Sequence, residues 1–175
     1  YAYRGVGATL ELRGAVDGVA SSASFFRAAT SLKTIFPLRE KLRGIVRADV
    51  GWLGTDQFRQ LPPSIRYFAG GDRSIRGYEF RALGPVNPEG QVTGGNSLLV
   101  GSAEAEYRFL EQWSGAVFLD AGNAFNDFQG EVAVGVGFGA RWIPPVGLIR
   151  IDLGFGLNKE GNPLRLHLGI GPDFQ

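Results

Sequence analysis

From Val6 to Val16, one parity of the chain reads Val6, Ala8, Leu10, Leu12, Gly14, Val16, and the other reads Gly7, Thr9, Glu11, Arg13, Ala15, Asp17. A strict period of two marks a strand whose faces differ in polarity. The pattern returns at Leu42, Gly44, Val46, Ala48, Val50, Trp52 against Arg43, Ile45, Arg47, Asp49. It returns again at Val132, Val134, Val136, Phe138, Ala140, Trp142 against Ala133, Gly135, Gly137, Gly139, Arg141. Near the end, Ile149, Ile151, Leu153, Phe155, Leu157 oppose Arg150, Asp152, Gly154, Gly156, and Leu164, Leu166, Leu168, Ile170 oppose Arg165, His167, Gly169, Gly171, Asp173.

Eight strands are predicted, near residues 6–16, 22–36, 41–53, 96–109, 113–122, 131–143, 146–157 and 163–174. Alternation alone does not say which face is inside, but length does. Most of these stretches run to about ten residues or more, against about 5 to 6 in globular proteins and about 9 to 11 for a tilted strand crossing a bilayer. Phe36, Trp52, Tyr107, Phe109, Trp113, Trp142 and Phe174 stand at or near strand ends, where interfacial aromatic girdles belong. The fold class expected is all-β, an antiparallel transmembrane β-barrel with apolar side chains facing lipid and polar ones facing the lumen.

One segment breaks the succession. Residues 54–95 carry no period, although connections longer than about 12 to 15 residues without secondary structure are uncommon and usually functional or disordered. Pro62 and Pro63 stiffen this one, and it contains the run Gly70-Gly71-Asp72-Arg73-Ser74-Ile75-Arg76-Gly77-Tyr78-Glu79. It is expected to fold into the lumen. Arginine keeps its charge and presents five donors in a planar fork, so in a confined lumen Arg76 needs a carboxylate that accepts it bidentately. The parity of residues 113–122 sets Phe118 and Asp120 on the lumen side, and Glu104 and Glu106 share a parity with Ser102 and Arg108. Asp120 is the expected partner, with Glu104 or Glu106 second.

Composition narrows the function classes. The 27 glycines of 175 residues are about twice average usage, as suits places where backbone approaches a wall closely. A net charge of +1 implies no nucleic-acid partner. The absence of cysteine excludes disulfides and thiolate metal sites, and no metal site, cofactor or catalytic residue is expected. Gly135-Val136-Gly137-Phe138-Gly139 has dinucleotide-loop spacing but lies within a period-two strand with no helix after it, which favours glycine packing. His167, the only histidine, is expected as a lumen wall residue, and Glu11, Arg13, Arg43, Arg47, Asp49, Arg150 and Asp152 as members of cross-strand pairs. A chain that opens on Tyr1 and contains no methionine is expected to be a segment of a longer protein.

Ile75-Arg76-Gly77-Tyr78 resembles the (Val/Ile)-Arg-Gly-(Phe/Tyr) loop motif of the bacterial outer-membrane assembly and secretion superfamily that includes BamA, TamA, FhaC and the chloroplast import channel. Phe118-Leu119-Asp120-Ala121-Gly122 resembles that family's Phe-x-Asp-x-Gly strand. Trp142 with Pro145-Val146-Gly147, Arg150 and Asp152 resembles its penultimate hairpin, and Gly169-Ile170-Gly171-Pro172-Asp173-Phe174 its closing strand. The longer run from Phe68 to Tyr78, with the Gly-Pro-Asp ending, is most similar to the TamA type. The resemblance implies the C-terminal half of a sixteen-stranded barrel, with the motif-bearing loop before the last five strands and with periplasmic POTRA domains and eight earlier strands outside this chain. It implies a loop-lock motif of Ile75, Arg76, Gly77 and Tyr78, with lumen partners Asp120, Glu104, Glu106, Phe118 and Gly122. Leu166, Leu168, Ile170 and Phe174 would form the closing strand at the lateral gate.

The function so implied is assembly or translocation of barrel and autotransporter proteins at the Gram-negative outer membrane. Its partners would be outer-membrane lipids, unfolded outer-membrane protein clients and an inner-membrane-anchored TamB-like protein bound through the N-terminal domains. A pore of the two-partner secretion type is the near alternative. An outer-membrane lipid-modifying enzyme is the distant one, because His167 would need a nucleophile and the preceding strand has no serine. Two uncovered strand edges argue that the chain is not stable alone.

Overall fold

The computed structural model describes residues 2–18, 23–144, 147–158 and 164–171. Eight strands, β1 (Gly5–Ala15), β2 (Phe25–Arg39), β3 (Leu42–Gly54), β4 (Ser97–Arg108), β5 (Trp113–Phe125), β6 (Ala133–Trp142), β7 (Ile149–Gly156) and β8 (Leu164–Ile170), form one antiparallel sheet in chain order. Among the described residues, β1 pairs only with β2 and β8 only with β7. The expected closing residue Phe174 and the hairpin residues Pro145 and Val146 lie outside the described residues.

The usual order of burial is inverted. Val6, Leu10, Val117, Leu166 and Ile170 are each more than half exposed, whereas Arg43, Glu106, Ser114, Asp120 and Arg141 are fully buried. A water-soluble domain does the reverse, so the apolar parity is the outer, lipid-facing one. Trp113 and Trp142, directly opposite in register, stack with centroids 6.0 Å apart at one rim, and Phe26 lies against Trp52 at the other.

Strand limits move where local chemistry allows. β2 runs past residue 36 through Pro37, beyond the last β1 partner at Ile35, and its register with β3 slips between Pro37 and Arg39. Proline is tolerated there because no β1 acceptor awaits its missing N–H. β5 continues past residue 122 to Phe125. Gly122 itself, at φ +149°, presses on β4, and a Cβ there would stand 2.7 Å from the Val100 Cα.

Residues 55–96 connect β3 to β4 and fold into the concave face. They are less structureless than their sequence suggests, with a single 3-10 turn at Phe58–Gln60 and isolated antiparallel bridges Tyr67 to Gly95, Ala69 to Leu83 and Val86 to Val92. Two apolar clusters fix the segment. Tyr67 and Leu61 pack with Leu53 and Ala124, while Ala69, Ile75 and Tyr78 pack with Val100 and Ala133.

Candidate functional site

The loop tip is a tight turn in which Ser74 N donates to Gly71 O and Gly71 N to Ile75 O, with Ser74 Oγ accepting from Gly70 N. From β3, Arg47 Nη2 donates to Ser74 O at 2.8 Å. Ile75, fully buried, anchors the turn and delivers the next four residues to the sheet.

Arg76 meets the wall with its whole fork. Nε donates to Asp120 Oδ2 at 2.8 Å and Nη2 to Asp120 Oδ1 at 3.0 Å. Nη1 donates to Glu104 Oε2 at 2.7 Å and to Asp152 Oδ2 at 3.2 Å. The guanidinium lies over the Phe118 ring, 3.5 Å from its centroid, a stacking geometry that adds cation–π attraction. Asp120 also accepts from the Arg76 backbone N–H at 3.0 Å and from Ser102 Oγ at 2.6 Å. Burial opposes the guanidinium's charge, but hydrogen bonding to Asp120 and the attraction of Glu104 and Asp120 outweigh it and push its proton affinity further up.

Glu104, rather than Glu106, is thus the second carboxylate on Arg76. Glu106 instead takes Arg43 Nε at 2.6 Å and Arg141 Nε at 3.0 Å. Gly122, expected among the lumen partners, packs on the backbone of Leu99 and Val100 of β4 instead. Of the expected charge pairs, Arg43 faces Glu106 directly across β3 and β4. Glu11 pairs with Arg27 across strands, while Arg13 and Arg47 pair with Glu11 and Asp49 along their own strands. Asp152 bonds Arg141 diagonally at 2.6 Å.

Arg141 is the residue the sequence pattern did not single out. Fully buried, it ties Glu104, Glu106 and Asp152 together at 2.6, 3.0 and 2.6 Å, so the Arg76 site and the Arg43 pair become one network. The count of lumen-parity carboxylates on β4, β5 and β7 was the available signal, since buried charges are retained only when paired.

The residues after Arg76 each grip a different strand. Gly77, at φ +95°, has its N–H on His167 Nε2 of β8 at 3.1 Å, and a Cβ on it would stand 2.5 Å from the Phe155 carbonyl carbon of β7. Tyr78 Oη donates to Val134 O of β6 at 3.2 Å and accepts from Asn158 N just beyond β7 at 3.1 Å. Glu79 pairs with Arg165 of β8. The seat beneath them is glycine. Gly135 of β6 abuts the Arg76 carbonyl, and on β7 Gly154 abuts the Gly77 nitrogen and Gly156 the Tyr78 ring, so these three glycines form the landing surface for the loop.

The Arg76 partners leave room beside them. A cavity of about 520 Å³, lined in part by Lys33, Arg47, Arg73, Arg150 and His167, separates the tip from β1 and β2. Leu166, Leu168 and Ile170 face outward from β8.

Comparison with known proteins agrees with this architecture. Residues 2–174 match the family described as the Omp85 superfamily domain. The chain is 30% identical over 124 residues to the Arabidopsis thaliana chloroplastic outer envelope protein 80, covering 64% of this chain and 15% of that protein. It is 32% identical over 117 residues to the outer membrane protein assembly factor BamA of Nitratidesulfovibrio vulgaris, covering 62% and 15%. The crystal structure of Haemophilus ducreyi BamA lacking POTRA domains 1–3 superposes with a TM-score of 0.75 at 20% identity, over 95% of this chain and 37% of that one. The aligned part is therefore a small fraction of the length of the curated relatives.

Proposed function

The chain belongs to the Omp85 superfamily, and from that membership we propose that it forms the loop-bearing part of an outer-membrane barrel that assembles or translocates other outer-membrane proteins. The observation that carries this reading is the Arg76 fork on Asp120, which holds an otherwise irregular segment inside the lumen. A loop pinned in that way keeps the wall of β4–β8 in one arrangement while its outer face contacts lipid and client. The chemistry is non-covalent: strands are exchanged and lipid is displaced, and no bond is broken.

Within this reading we assign the chain to the TamA type, with autotransporters among its clients and a TamB-like inner-membrane partner. The supporting feature is the run Phe68–Tyr78, whose Gly70 and Gly71 both sit at positive φ and form the tip turn. A secretion pore is supported less well, since the seated loop occupies the lumen that a conduit would need. A hydrolase is supported least, because the Nε2 lone pair of His167 already accepts the Gly77 N–H.

The test is Arg76→Ala in the full-length protein reconstituted in vesicles, scored by insertion of an unfolded barrel client. Client insertion should fall while the barrel itself stays folded. Unchanged insertion with a demonstrably released loop would overturn the proposal.

A further inference from the structure

Within the described residues β8 pairs along seven residues with β7, and its other edge has no strand partner there. Its outward side chains Leu164, Leu166, Leu168 and Ile170 are all more than half exposed. The inward ones meet the loop. His167, at the middle of the strand, accepts the Gly77 N–H, and Arg165, two residues earlier on the same face, pairs with Glu79.

We propose that His167 and Arg165 are positioning residues that tie β8 to the infolded loop, so that seating of the loop sets the alignment of that strand. This rests on the assembly reading above and adds to it the route by which a lumenal lock acts on β8. Three features support it. Gly77 is pressed so closely on β7 that no side chain fits, which fixes the direction of its N–H toward β8. Acceptance at Nε2 requires the neutral ring with its proton on Nδ1. His167 stands directly opposite Asp152 in register, and Asp152 is itself bonded to Arg76 and Arg141, so the tie joins the same network that holds the loop.

The test uses the full-length protein in lipid, with Glu79→Cys and Arg165→Cys as a proximity reporter that also removes the ion pair and leaves His167 as the tie. Cross-linking under mild oxidation should fall about fivefold in His167→Leu, the equilibrium effect of one net hydrogen bond. His167→Gln, which presents an acceptor oxygen at similar reach, should restore it. Client insertion, measured with the two cysteines absent, should follow the same order. Equal cross-linking in His167→Leu would overturn the tie, as would a loss that Gln does not rescue. Lost cross-linking with unaltered client insertion would overturn the positioning role. If Arg76→Ala leaves insertion unaltered as well, the assembly reading fails instead.

Discussion

Gly154 of β7 lies so close to Gly77 of the loop that a Cβ on Gly154 would stand 2.6 Å from the Gly77 nitrogen and 3.0 Å from the Arg76 carbonyl carbon. Both obstacles are backbone, so no side chain can swing aside to make room. Gly154→Val should therefore unseat the tip while leaving the ladders of β6 and β7 paired. The overpacking penalty is about 1 to 3 kcal/mol, and it falls on the loop. Limited proteolysis within residues 55–96 reads it out, and a loop as protected as in the wild type would sink the prediction.

Arg76→Ala should cost about 2 kcal/mol, below the roughly 3 to 5 kcal/mol of breaking a wholly enclosed pair, because the polar cavity beside the tip lets water reach Glu104 and Asp152. Denaturant unfolding in lipid checks the magnitude.

Charge reversal should not repair the lock. Asp120 accepts two further donors, the Arg76 N–H and Ser102 Oγ, and an arginine at 120 leaves both without an acceptor. Arg76→Asp with Asp120→Arg should protect the loop no better than the worse single change. Substantial recovery would show that charge pairing alone is enough.

Leu119 projects outward from the middle of β5 and Thr9 lines the lumenal cavity. Leu119→Arg should cost about 2 to 4 kcal/mol if it lies near the bilayer midplane, and Thr9→Arg far less. Equal costs in a lipid folding titration would contradict the assignment of faces.

Tyr67 anchors the base of the loop by donating to Ala28 O at 2.6 Å, with the Arg27 guanidinium 4.4 Å from its ring centroid. Burial pushes its phenol above the usual value, against a smaller downward pull from Arg27. A raised folded-state pKa means that this anchor is fully present below the unfolded value of about 10 and is lost as pH rises through the folded one. The tyrosinate absorbance difference between wild type and Tyr67→Phe should thus titrate later than free tyrosine. A difference curve at or below the free value would refute it.

The strands were legible because lipid and lumen impose opposite demands on adjacent residues, and that demand is written as a period of two. Their ends were less so. The pattern carries no sign that Pro37 sits beyond its neighbour's last pairing, or that β5 continues past Gly122. Parity placed Asp120 and Glu104 on the concave side, yet it could not choose between Glu104 and Glu106, which are equally spaced along one strand. That choice depends on where Arg141 stands across the sheet. Tyr67, Glu79 and Arg165 were out of reach for another reason: their contacts follow the path of an irregular segment, where no period relates position in sequence to position in space.

The strand contacts of the tip have a chronology. Residues 76–79 bond to side chains and backbone on β4 through β8, all of which come later in the chain, with separations of 44 residues for Asp120 and 90 for His167. The base of the loop leans on both earlier and later strands, with Tyr67 donating to Ala28 O of β2 and packing with Ala124 of β5. Contacts across long separations form late in folding, so the bonds of residues 76–79 wait for β4 through β8. Insertion of Arg76 into its carboxylates then reports that β4, β5 and β7 stand side by side, and a chain arrested before β7 would offer the same arginine Asp120 and Glu104 but not Asp152.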